Sequence, residues 1–240
     1  MKKSIRAYYE KRRFDPKIVG LFVNPFYFAR KGLWDEISIL APRMTGAVLD
    51  IGCGSKPYQR LFSSAANYTG LEIDTPRNRE AGYADRFYDG KHLPFEDGSH
   101  DSVFISQVLE HIFEPDEFLA EIHRVLKPAG QLLVTAPFVW DEHEQPHDYA
   151  RYSSFGLTHL LTKHGFTVVE VRKSTPTIAV VFQLTNGYLY KKTNTKNLYL
   201  NLGITLVLMA PWNILGLLFA AILPRNQDLY LDNIILAQKV

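Results

Sequence analysis

The sequence predicts an α/β fold, a mostly parallel sheet with helices on both faces. Short apolar runs that read as strands alternate with segments of helical periodicity, and parallel neighbours require such crossover connections. The first run ends in Asp50-Ile51-Gly52-Cys53-Gly54, a glycine turn at the carboxyl end of a strand. At 240 residues, 46% of them hydrophobic, the chain suffices for one such domain with elaborations.

In chain order, residues 26–40 carry Phe28, Leu33, Trp34, Ile37 and Leu40 at near-helical spacing, with Pro42 as a stop. This predicts a helix that packs on the domain or lids a site. Residues 47–51 are the first buried strand. After the glycines, Ser55 or Lys56 as cap and Pro57 in the first turn predict a helix, and residues 68–73 a second strand. A third short strand ends near Asp89, and a fourth, 101–106, follows the turn Glu96-Asp97-Gly98-Ser99. Pro115 opens a helix with Phe118, Leu119, Ile122, Val125 and Leu126 on one stripe, stopped by Lys127-Pro128-Ala129-Gly130. The fifth strand is 131–136. Ser153 caps a helix that ends at Gly165, and 166–171 is the sixth strand.

Composition narrows the function classes. A net charge of +2 disfavours a nucleic-acid binder that lives on counterion release. Residues 1–17 hold seven basic side chains against Glu10 and Asp15, so this arm nets +5 and the remainder −3. The single cysteine, Cys53, permits neither an internal disulfide nor a cysteine-rich metal cluster, which fits a reducing compartment. No apolar stretch precedes Gly20, so the N-terminus does not read as a secretory signal, and the expected location is cytoplasmic.

Parallel open sheets bind ligands outside the carboxyl ends of their strands. At the first such end, Gly52 and Gly54 let a ligand approach the backbone. At the second, Glu72 follows Gly52 at the distance where a carboxylate accepts the hydroxyls of a ribose. Pro57 stands where a dinucleotide fold needs its third glycine, which disfavours a nicotinamide oxidoreductase.

Val48-Leu49-Asp50-Ile51-Gly52-Cys53-Gly54, Tyr68-Thr69-Gly70-Leu71-Glu72-Ile73, Asp89 followed by Leu93-Pro94-Phe95, Gln107-Val108-Leu109-Glu110-His111 and Glu121-Ile122-His123-Arg124-Val125-Leu126-Lys127-Pro128-Ala129-Gly130 together resemble class I S-adenosylmethionine-dependent methyltransferases over about residues 47–171. The resemblance is to the methyltransferase-11-like domains. It implies a Rossmann-like, seven-stranded sheet whose last strand is antiparallel, supplied here by residues 230–238. It implies S-adenosylmethionine as methyl donor, with Asp50, Gly52 and Gly54 near its methionine moiety, Glu72 on the ribose, Asp89 at the adenine and Gln107 at the methionine end. Lys56 departs from the glycine often found there and predicts a narrower or cationic loop. The divisions expected are an N-terminal helical arm or lid (1–46), the cofactor-binding core (47–173), a hydrophobic helical insertion (174–229) and the final strand (230–240). A noncatalytic binding subunit of the same fold, or a nicotinamide-dependent oxidoreductase, stays as the alternative function.

The loop after the fifth strand is crowded with titratable groups. Its Pro146-His147-Asp148-Tyr149 followed by Arg151-Tyr152 resembles a methyltransferase subgroup of bacterial glycan and envelope biosynthesis. For a hydroxyl acceptor, on a small molecule or a glycan- or lipid-linked intermediate, His147 oriented by Asp148 is the first candidate base and His143 the second. The alternatives are a loop-bracing network around Arg151, or a divalent metal on His143 and His147 with Asp141 or Glu144. The expectation is no metal, with His111 structural.

From residue 198 to 224 there is no charged side chain. Residues 203–223 are long enough for a transmembrane candidate, but Pro211 and Asn213 should interrupt the stretch into two helices too short to span; the readings are a packed insertion or homodimer contact, an interfacial or re-entrant membrane element, and a true span. The basic arm makes contact with the inner face of an anionic membrane plausible.

Overall fold

The computed structural model describes residues 17–240, so the basic arm, apart from Lys17, lies outside the described residues. The chain forms two compact units.

The larger unit comprises residues 36–138, 142–172 and 232–240. Its seven strands are β1 (Gly46–Ile51), β2 (Ala65–Ile73), β3 (Arg86–Tyr88), β4 (His100–Ser106), β5 (Leu126–Pro137), β6 (Phe166–Lys173) and β7 (Asp232–Lys239). They stand in the order β3-β2-β1-β4-β5-β7-β6. The neighbours from β3 to β5 pair in parallel, while β7 runs antiparallel to β5. The chain reverses its direction of building between β1 and β4, and that switch point is where an open sheet offers a crevice. Leu49, Ile51, Val103, Ile105, Leu132, Val134 and Ile235 fill one core with Leu119 and Ile122 of the helix Pro115–Val125 and Leu157 and Leu161 of the helix Ser154–Lys163. The Ser153 hydroxyl caps the latter by accepting the Gly156 N–H at 3.1 Å. The helix predicted over 26–40 is Tyr27–Leu40.

The helix predicted after the glycine turn does not form; only a single 3-10 turn, Gln59–Leu61, occupies the segment. Lys56 takes a left-handed φ of 53° and donates its N–H to Cys53 O at 2.8 Å, closing a tight turn directly before Pro57. Tyr58 and Phe62 then bury their rings against Phe104, with centroids 6.0 and 4.9 Å away. Aromatic anchoring fixes this stretch without a helix, so no helix N-terminus faces the glycine loop.

The smaller unit holds residues up to 35, 139–141 and 173–231. Its main helices are Ala179–Thr193 and Leu198–Ile222. The second is one continuous 25-residue helix, which overturns the expectation of two pieces divided at Pro211. A π-helical turn, Thr205–Met209, widens the backbone just before Pro211 and accommodates the missing N–H and the ring. Asn213 is not an interruption either. Fully buried, it donates from Nδ2 to the carbonyls of Leu21 at 2.9 Å and Asn24 at 3.1 Å, and accepts from Asn186 Nδ2 at 2.9 Å.

Candidate active site

Two neighbouring strand ends build the first half of the site. Gly52 adopts φ +70°, and a Cβ there would come within 2.4 Å of Val108 Cγ2, so only glycine fits. Gly54, at φ +49°, borders open space, with nothing within 4 Å of where a Cβ would be. Its N–H donates to Glu72 Oε1 at 2.7 Å, which ties the first predicted motif to the second. Glu72 Oε2 accepts from Asn78 Nδ2 at 3.1 Å, so the half-buried carboxylate is held at the rim of the glycine loop.

Asp50 lies beneath that loop, 3% exposed, and accepts the Tyr68 hydroxyl at 2.6 Å. Burial pushes its pKa up to about 7, with the Tyr68 bond opposing and the Glu72 charge reinforcing the rise. Cys53 is buried beside it, and burial first, then the charge of Asp50, pushes its thiol up to about 12, so it offers no nucleophile at neutral pH. Lys56 does not leave a cation at the loop mouth: its Nζ pairs with Asp85, which also accepts the Gly70 N–H at 2.7 Å. Sequence reasoning passed over Asp85. Asp89, at the end of β3, is exposed, and its Oδ1 accepts the N–H groups of Lys91 and His92, both at 2.8 Å.

Gln107 directly follows β4 with φ +58°, a conformation that non-glycine residues rarely hold. Its N–H donates to Thr135 O at 3.0 Å and its Nε2 to Thr135 Oγ1 at 3.2 Å, locking it between β4 and β5. The 3-10 turn Leu109–His111 follows and buries Glu110 completely.

The loop after β5 departs from expectation. Asp148 does not orient His147; it accepts two bonds from Arg151, at 2.6 and 2.7 Å, and the His143 N–H at 2.8 Å. The Arg151 bonds hold its carboxyl well below the usual carboxylate range. The bracing network read as an alternative from the sequence is therefore present, and the imidazole it touches is that of His143, whose Nδ1 lies 3.3 Å from Asp148. His147 is exposed, with Nδ1 3.0 Å from the Tyr149 hydroxyl. Asp141 pairs instead with Lys191, at 2.8 Å, and Glu144 approaches Arg77, at 3.9 Å. Among the described residues, the side chains that gather at ligand distance are Glu110, His111 and His143. Glu110 was visible in the sequence as a charge inside the apolar run Val108-Leu109-Glu110-His111-Ile112, which is the signal of a buried ionisable group.

The strand order, the glycine turn and the Asp50–Glu72 pair of strand ends define a class I S-adenosylmethionine-dependent methyltransferase fold. Residues 49–134 match the family model described as a methyltransferase domain. It is similar to the O-methyltransferase cnsE of Penicillium expansum, 31% identical over 156 residues, which cover 55% of this chain and 56% of that protein. It is also similar to a protein of Mycolicibacterium smegmatis named as an S-adenosylmethionine-dependent methyltransferase, 33% identical over 166 residues, 64% of each chain. The chain thus spans between about half and two thirds of the length of these relatives. Phosphoethanolamine N-methyltransferase 2 of Haemonchus contortus, solved with S-adenosyl-L-methionine, shares the fold at a TM-score of 0.53 and 22% identity, covering 86% of this chain and 52% of that one.

Proposed function

We propose that the protein transfers a methyl group from S-adenosylmethionine to an oxygen of a small-molecule, glycan or lipid-linked acceptor. The observation that carries this reading is the cradle of Gly52, Gly54, Asp50 and Glu72: open space above Gly54, a buried carboxylate beneath, and a second carboxylate hydrogen-bonded to the loop at its rim. These residues fit a ligand with a cationic head and a ribose. Glu72 takes the ribose hydroxyls, Asp50 with Gly52 and Gly54 the methionine moiety, Asp89 the adenine amine, and Gln107 borders the methionine end.

S-adenosylmethionine, when bound, supplies an electrophilic methyl carbon on a sulfonium, so the chain's task is chiefly to orient the acceptor lone pair and manage one proton. His147 takes that proton. In the tautomer whose Nδ1–H donates to the Tyr149 hydroxyl, 3.0 Å away, the exposed Nε2 presents its lone pair. His143, braced by Asp148, belongs to a different cluster. The test is release of S-adenosylhomocysteine from labelled donor with a panel of hydroxylated glycan and lipid-linked acceptors. Turnover no faster than that of Glu72→Ala with every acceptor in the panel would favour the noncatalytic binding subunit.

The helix Leu198–Ile222 supports a lipid-facing role for the smaller unit. Its most apolar 18 residues have a mean hydropathy of 2.0, and only 28% of them are buried. Lys191, Lys192 and Lys196 precede it and Arg225 follows. The insertion leaves from β6 and returns to its neighbour β7, so a single crossing would strand the last strand on the wrong side. Peripheral contact with the inner face of an anionic membrane satisfies both observations. Sedimentation with anionic vesicles, weakened by salt, is the expected result; a salt-insensitive dimer with no vesicle binding would assign the face to a second copy instead.

A further inference from the structure

Buried carboxylates are ordinarily paired or hydrogen-bonded. Glu110 is 0% exposed, yet neither of its oxygens has a hydrogen-bond partner among the described residues. One of them stands 4.0 Å from His111 Nε2. His111 Nδ1 lies 2.6 Å from the carbonyl oxygen of His147, which can only accept, so Nδ1 carries a proton and the neutral ring keeps its lone pair on Nε2. Burial pushes the Glu110 carboxyl up to about 8 in the absence of a cation; once ionised, it and His111 Nε2 are two acceptors facing each other, an arrangement that a cation between them would satisfy.

The third member closes the set. His143 lies edge-on to His111 with ring centroids 4.8 Å apart, and ligand atoms of Glu110, His111 and His143 all fall within 4.8 Å of one another. Bonds of about 2.1 Å to a shared ion put donor atoms about 3 to 4.2 Å apart, so small side-chain movements suffice. The outer supports are also those of metal-binding histidines, which usually give their second nitrogen to a carbonyl or a carboxylate. His111 meets the His147 carbonyl, and His143 Nδ1 is 3.3 Å from Asp148. Arg151 Nη2 also approaches that nitrogen, at 3.5 Å, the outer limit of a hydrogen bond and farther than the Asp148 carboxylate.

We infer that Glu110, His111 and His143 hold a divalent transition-metal ion through one carboxylate oxygen and two imidazole nitrogens. Such a donor set suits Zn²⁺, Mn²⁺, Fe²⁺ or Co²⁺ and leaves coordination positions open. The site sits after β4 and β5, at the carboxyl edge of the sheet. If the methyltransferase reading holds, an open position would take an oxygen of the acceptor; the site itself does not depend on that reading.

The test uses the full chain, stripped with chelator and titrated with Co²⁺ at neutral pH. One equivalent should bind with visible d–d absorption, be displaced by Zn²⁺, and raise the thermal midpoint. Glu110→Gln preserves shape and removes the buried charge, so it should stay folded by circular dichroism and weaken Co²⁺ binding by at least about tenfold; His143→Ala should do the same. Wild-type protein that shows no saturable Co²⁺ spectrum, or variants that bind Co²⁺ as the wild type does, would overturn the assignment and leave Glu110 as a buried carboxyl beside His111. S-adenosylhomocysteine binding measured on the same samples separates this outcome from failure of the methyltransferase reading.

Discussion

Cofactor affinity should depend on pH through Asp50. Its carboxyl is buried to 3% exposure and held up to a pKa of about 7 by that burial, so the free protein keeps it protonated in mildly acidic solution. A cofactor whose cationic end lies against Asp50 requires the ionised form, and binding must expel the proton. Below about pH 7 the apparent affinity should therefore fall about tenfold per pH unit, about 1.4 kcal/mol each, and above it level off. Calorimetric titration with S-adenosylhomocysteine from pH 5 to 8, in paired buffers of different ionisation heat, reads both affinity and proton count. Close to one proton should leave per molecule bound at the acid end and close to none at pH 8. Asp50→Asn keeps an acceptor for the Tyr68 hydroxyl but should abolish the proton release. A flat profile, or an unchanged one in the variant, would refute the placement of Asp50 beneath the cofactor. The sign for the free protein is opposite: a carboxyl whose pKa rises on folding contributes stability that is present below about pH 4 and lost as pH rises to about 7.

Three further outcomes follow from named contacts. Glu72→Ala removes the proposed ribose acceptor and the partner of the Gly54 N–H, and should weaken S-adenosylhomocysteine by about 1.5 to 3 kcal/mol in a direct binding assay; unchanged affinity would misplace the ribose. His147→Ala should lower turnover about a hundredfold while leaving cofactor affinity intact, and a loss of folding instead would show the loop's role to be structural. Asn213→Ala removes the donor to the Leu21 and Asn24 carbonyls and one of the two acceptors of the Asn186 amide; denaturant unfolding should register a loss of about 2 to 4 kcal/mol, and a variant as stable as the wild type would show that water reaches these groups.

What was legible in the sequence was whatever local pattern decides. Strand runs, the Ser153 cap, the Pro115 start and the glycine turn each depend on neighbours a few residues away, and consecutive parallel strands carry Asp50 and Glu72 to adjacent positions. The helix after Gly54 was misread because cap and proline signals spoke for it, while the burial of Tyr58 and Phe62 against Phe104 is a tertiary effect. The same holds for Lys56, whose charge is matched by Asp85 on another strand end, and for Asp148, which chose Arg151 and His143 over its sequence neighbour. Pro211 and Asn213 looked like breaks because a π turn and buried carbonyl partners leave no local signature. The gathering of Glu110, His111 and His143 joins the ends of two strands and could be seen only once they were paired.

The most direct measurement is calorimetric binding of S-adenosylmethionine, S-adenosylhomocysteine and NAD to the purified chain. One equivalent of either sulfur nucleotide should bind with measurable heat, while NAD should give none, because the glycine loop offers neither a third glycine nor a following helix N-terminus to receive its pyrophosphate. Heat from NAD with no response to either sulfur nucleotide would contradict the account.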